Sequence, residues 1–128
     1  MTTATVEADN AKEEIEEIVS QCIRCGMCKS LCPVFGIIRE ETVSPRGKAM
    51  ILDKKIYDKI VYECSLCKAC EEKCPLNLKL CDAFRKARKV LVESGKETEE
   101  NKEMIKNIKE FGNPFGKVSG KIGKLYCC

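Results

Sequence analysis

One cysteine pattern occurs twice, and it constrains this 128-residue chain more than any other feature. Cys22, Cys25, Cys28 and Cys32, with Pro33 behind them, read C-x2-C-x2-C-x3-C-P. Cys64, Cys67, Cys70 and Cys74, with Pro75 behind them, repeat that spacing 42 positions later, counted from Cys22 to Cys64. Three cysteines with two residues between neighbours lie on a tight coil that can wrap three corners of one compact object. The fourth is poorly placed to join them. A proline holds the residue before it extended and away from helix, so Cys32 and Cys74 are better placed to reach the other loop than their own.

The object that such loops suit is a [4Fe-4S] cube, whose four irons each take one thiolate. The spacing is that of bacterial two-cluster ferredoxins, in which the fourth Cys ligates the other cluster. Cys22, Cys25, Cys28 and Cys74 are therefore expected to hold one cluster, and Cys64, Cys67, Cys70 and Cys32 the second, the crossing tying the two halves of the fold together. Zinc suits the pattern less well, since its ligands usually come as separated pairs, often with histidine, and the chain has no His. Disulfides need an oxidising compartment, and no secretion signal is visible. The expected compartment is cytoplasmic, with any membrane association made through partners.

The remaining composition bears this out. Trp is absent and aromatics make up 5% of residues, so the ordinary apolar core is small and the clusters are expected to substitute for much of it, leaving an apo chain that folds poorly. The formal charge of +3 ignores the metal. Eight thiolates and two oxidised cores of about +2 each bring it to roughly −1. The basic balance is thus no argument for nucleic acid, and no basic run is interleaved with aromatics. No apolar stretch approaches membrane-spanning length.

Along the chain, residues 1–8 read as a mobile leader. Asp9 or Asn10 can cap a helix to about Gln21, with Ile15, Ile18, Val19 and Cys22 on one face and Glu13, Glu14, Glu16 and Glu17 as a solvated face opposite. Val34, Phe35, Ile37 and Ile38 are expected to pack over a cluster and exclude water. Ser44 is a good N-cap with Pro45 at the first helical position, opening a helix to about Tyr62 with Ala49, Leu52, Ile56 and Ile60 inward. Arg46 and Lys48 either lie beside a cluster, favouring its reduced form, or are surface charges. A third helix is expected over 78–93, with Cys81, Phe84, Ala87 or Arg88, and Leu91 inward and Ser94-Gly95 as its C-cap. Its Lys79, Arg85, Lys86 and Lys89 are candidates to steer an acidic partner. Thr98 caps a fourth helix ending at Gly112, with Met104, Ile105, Ile108 and Phe111 as its apolar face. No segment alternates apolar and polar for long. The expected fold is all-α, with a two-cluster domain over 9–112 and a docking tail over 113–128.

The two cysteine runs, Ser44-Pro45-Arg46-Gly47-Lys48 and Asn113-Pro114-Phe115-Gly116 together resemble the α-helical ferredoxins. These include the electron-transfer subunit of heterodisulfide reductase, found in methanogenesis, and the iron–sulfur parts of glycerol-3-phosphate, lactate and glycolate oxidoreductases. The iron–sulfur subunit of succinate dehydrogenases is a further helical relative. The resemblance implies a hetero-oligomer with a catalytic subunit carrying cysteine-rich CCG-type motifs and a flavin or iron–sulfur electron donor subunit.

The chain itself has no glycine-rich nucleotide loop and no acid–base constellation, so it is expected to pass single electrons and to have no catalytic residue. The alternative is a sensor or assembly protein that uses labile clusters as a switch. Two full ligand sets with a crossover favour the relay. Cys81 reads as a buried structural thiol. Cys127 and Cys128 read as a functionless tail or as ligands for a partner's cluster.

Overall fold

The computed structural model describes residues 3–117, the side chains of 3–5 apart. No strand occurs among the described residues, and the fold is all-α as expected. The chain divides into two compact units, residues 1–96 and 97–128.

The first unit is built on helix α1, Thr3–Val19, packed against α5, Leu80–Glu93. The seam is apolar and closed. Ile15 and Val19 of α1 and Phe84, Ala87, Val90 and Leu91 of α5 are all buried. α1 starts earlier than expected, so residues 3–8 continue the helix. Glu7 and Ala8 are good helix formers, and Asp9 pairs with Lys12 at 2.8 Å in place of capping.

The expected acidic face is solvated, with Glu13, Glu14, Glu16 and Glu17 all exposed, and α1 also carries ion pairs to its neighbours. Glu7 pairs with Lys89 at 2.8 Å, Glu14 with Lys86, and Glu16 with Lys55 at 2.9 Å. The basic side chains of α5 are thereby partly occupied within the chain. Such exposed pairs are screened by solvent and contribute little to stability.

α5 ends in a Schellman motif at Gly95, φ +68°. The Lys96 N–H donates to the Leu91 carbonyl at 2.9 Å and the Gly95 N–H to Val92 at 3.0 Å.

Helix α2, Pro33–Ile38, follows the first cysteine run and buries nothing. Ile37 is 85% exposed and Ile38 is exposed as well, contrary to the cover over a cluster expected of them. With only six residues the helix lacks the length to return its far end to the core.

Helix α3, Pro45–Asp53, opens as expected, with Ser44 Oγ accepting from the Gly47 N–H at 2.9 Å. It stops nine residues short of Tyr62. Lys55 takes φ +59°, and the Ile56 N–H donates back to the Ile51 carbonyl at 3.2 Å. A 3-10 turn, Lys59–Tyr62, then replaces the predicted helical end, capped by Asp58 accepting from the Ile60 N–H at 3.0 Å. Ile56 is left exposed, while Val61 is buried.

The second unit carries α6, Glu99–Phe111, between Thr98 and Gly112 as expected. Met104, Ile108 and Phe111 are exposed. The Asn113–Gly116 segment turns back on this helix: the Phe115 N–H donates to Asn113 Oδ1 at 2.9 Å and Asn107 Nδ2 donates to the Pro114 carbonyl at 3.2 Å. The tail beyond Lys117, with Cys127 and Cys128, lies outside the described residues.

Candidate iron–sulfur site

The two cysteine runs share a backbone as well as a spacing. In the first, Arg24 and Gly26 have φ of 59° and 78°; in the second, Leu66 and Lys68 have φ of 55° and 64°. These are the same two places in each run. The hydrogen bonds that follow also correspond. Lys29 donates to Gly26 at 3.1 Å and Cys32 to Lys29 at 3.3 Å; Glu71 donates to Lys68 at 3.0 Å and Cys74 to Glu71 at 3.2 Å.

Each run closes in a short helix, Met27–Leu31 in the first and α4, Ala69–Lys73, in the second, and these two pack on each other. Turns of this kind point successive N–H groups into a concavity suited to an anion such as an iron–sulfur cluster. Holding Arg24, Leu66 and Lys68 left-handed costs roughly 1 kcal/mol or more apiece, so something must hold them there.

A hollow is lined by Cys22, Cys25 and Cys28 of the first run and by Cys74 of the second, together with Arg46. Its other wall is apolar, with Leu76, Leu78 and Leu80. Among the described residues no three metal-binding side chains close on the position of a single ion. The donor set and the apolar lining therefore fit a cluster.

Arg46 reaches this hollow from the first turn of α3. Its Nη1 donates to the Arg24 carbonyl at 3.3 Å and its Nε to Glu41 at 2.7 Å. Its backbone N–H, a donor of the first helical turn, lies near Cys28 and favours the ionised form of that thiol. Gly26 suits its positive φ, and a Cβ here would stand 2.8 Å from Arg46 Nη1, the free end of a side chain that would have to shift. Arg46 first and then Lys29, at 2.6 Å, hold the Glu41 carboxyl down to about 2.

Of the remaining motif cysteines, Cys64 and Cys32 are half-buried, Cys70 is buried and Cys67 is exposed. Lys48 stands beside them, from the side of α3 away from Arg46. It is 1% exposed. Its Nζ donates to the Val43 carbonyl and, at 3.3 Å, to the Glu63 carbonyl. Cys64 and Cys32, one from each run, both lie within its electrostatic reach. Backbone N–H groups bond both sulfurs: Leu66 donates to Cys64 Sγ and Phe35 to Cys32 Sγ, each at 3.4 Å. Burial pushes the Cys28 and Cys70 thiols up. Bound metal strips such a proton outright.

Two residues near this set carry no signal for it in the sequence. Glu71 is buried and accepts from the Cys81 N–H at 3.0 Å, a donor of the first turn of α5. No periodicity relates the two positions. Arg88 donates to the Val61 carbonyl at 3.0 Å and to the Cys64 carbonyl, tying α5 to the second run. Cys81 is buried, as its helix face predicts, with its Sγ 3.9 Å from that of Cys70.

Comparison with known proteins agrees with this geometry. Residues 18–78 match the 4Fe-4S dicluster domain family. Lactate utilization protein B of Bacillus cytotoxicus is 35% identical over 97 residues, 66% of this chain and 20% of that protein. The protein of the same name from Bacillus cereus strain B4264 is 33% identical over 100 residues, 69% of this chain and 21% of its own. The electron transport protein YkgF of Escherichia coli K12, whose name marks it as uncharacterized, is 30% identical over 99 residues, 68% and 21%. The chain spans about a fifth of the length of these relatives. Residues 18–78, just under half of the chain, thus form a 4Fe-4S dicluster domain, whose cofactors are two [4Fe-4S] clusters.

Proposed function

We propose that the chain is an electron-relay subunit, with Cys22, Cys25, Cys28 and Cys74 holding one cluster and Cys64, Cys67, Cys70 and Cys32 the other. The observation that carries the relay is how the two runs are disposed. The third cysteine of each, Cys28 and Cys70, is buried where the short helices of the runs meet, and the two lie within electrostatic reach of each other. The second cysteine of each, Cys25 and Cys67, is exposed. An electron thus has a surface exit at either end and a buried crossing between. The hollow lined by four cysteines from both runs supports the crossed ligand set, and the shared reach of Lys48 supports pairing Cys32 with Cys64.

The clusters supply one-electron redox capacity. The chain supplies positioning, N–H···S bonds, nearby charge and exclusion of water, which are a protein's levers on potential. A switch that senses by losing its cluster has less use for a buried crossing between two sites.

Substrate chemistry belongs to a partner oxidoreductase subunit, fed by a flavin or iron–sulfur donor. The similarity to lactate utilization proteins favours a lactate-linked partner over one of heterodisulfide reductase type. Residues 113–128 are read as a segment that docks on that partner. The anaerobically isolated chain should hold about eight irons and eight sulfides and take up two electrons reversibly. Cys32→Ser should alter the paramagnetic signal that Cys64→Ser alters, and Cys74→Ser the signal that Cys22→Ser alters. Zinc without labile sulfide, or unaided turnover of lactate, a disulfide or a quinone by the chain, would refute this reading.

A further inference from the structure

The Ser44–Lys48 segment sends its two cations to different cysteine sets, and they are not equivalent. Arg46 is bonded to the carboxylate of Glu41 at 2.7 Å and its side chain is 29% exposed, so its field at the first set is both compensated and screened. Lys48 is almost wholly enclosed and bonds only backbone carbonyls, Val43 and Glu63. A charge in such surroundings acts through a low effective dielectric, where an interaction at a given distance is severalfold larger than in water. The other ionisable groups acting on it, Glu63 and Arg88, are of opposite sign.

We infer that Lys48 is the residue that sets the reduction potential of the second cluster, its buried ammonium stabilising the reduced form and making that site the more readily reduced of the two. The inference rests on the ligand assignment proposed above, with Cys32 and Cys64 in one set. One electron enters per step, and the added negative charge falls beside the ammonium; burial lowers the Lys48 pKa, while Cys64 and Cys32 favour its charged form.

The test is a redox titration of the iron-loaded chain, followed by paramagnetic resonance, for the natural protein, Lys48→Met and Lys48→Gln. Met keeps the volume and removes the charge. Gln removes the charge and keeps a donor for the Val43 carbonyl. Both variants should lower the midpoint of the signal that Cys64→Ser alters, by about tenfold in the one-electron equilibrium, which is 59 mV. The other signal should stay in place. Recovery of the natural midpoint in Lys48→Gln, equal shifts in both signals, or loss of iron from the second set in both variants would overturn the tuning role and leave Lys48 a structural tether. Failure of the ligand assignment reads differently: Cys32→Ser and Cys64→Ser would then alter different signals whatever Lys48 does.

Discussion

Gly47→Ala should leave the chain unable to hold either cluster firmly. Gly47 lies in α3, where alanine is ordinarily the better residue by about 1 kcal/mol, so helix propensity alone predicts a gain. Contact predicts the opposite. A Cβ at this position would stand 1.8 Å from the Glu41 carbonyl oxygen and 2.8 Å from its carbon, both backbone atoms. Neither can swing aside as a side chain would. That carbonyl is also fixed, accepting from the Ser44 N–H at 3.0 Å and from Ser44 Oγ at 2.7 Å.

Relief therefore requires the first turn of α3 to move away from the Glu41–Val43 turn. The residues on either side of Gly47 are Arg46 and Lys48, one at each cysteine set, so both sets lose their cation together. The expected cost is about 3 kcal/mol, the upper end for overpacking. Iron should fall below eight per chain, and the urea midpoint should drop. Unchanged iron with an equal or higher midpoint would mean that propensity outweighs the contact.

That five-residue segment also shows what can and cannot be read from the sequence. Ser44 and Pro45 announce a helix start through local chemistry, and the structure has it. The caps at Thr98, Gly95 and Gly112 are visible for the same reason, since capping depends on residues within one turn. The placement of Arg46 and Lys48 beside cysteine sets is open at the level of sequence, because it depends on which way α3 is rotated against both runs.

The break in α3 is hidden because its left-handed residue is Lys55, where glycine would have been the signal. The burial of Glu71 rests on a donor ten positions away on another helix. Ile37 and Ile38 read as cover because apolar residues beside a cofactor usually are. Their exposure follows from the direction α2 takes, which no local pattern encodes.

Stripping both clusters should unfold the cysteine runs and leave the α1–α5 pair as the last ordered part. Two features of the first unit separate these outcomes. Residues 20–32 and 64–78 hold four side-chain-bearing residues in the left-handed region, Arg24, Leu66, Lys68 and Asn77, at a combined cost that is a sizeable fraction of a domain's stability of about 5–15 kcal/mol. Their thiols and the apolar wall of Leu76 and Leu78 face a hollow, so without a cluster they gain less from staying closed.

The α1–α5 seam is different, with Ile15, Phe84 and Ala87 at 0% exposure. A lone pair of helices of 17 and 14 residues is only marginally stable in water, so it should persist with reduced protection. Hydrogen exchange after chelation under anaerobic conditions should show amides of 20–32 and 64–78 exchanging at nearly unfolded rates, while those near Ile15 and Phe84 slow exchange by at least about tenfold. Protected cysteine runs in the iron-free chain would mean that the left-handed turns are held by the polypeptide itself.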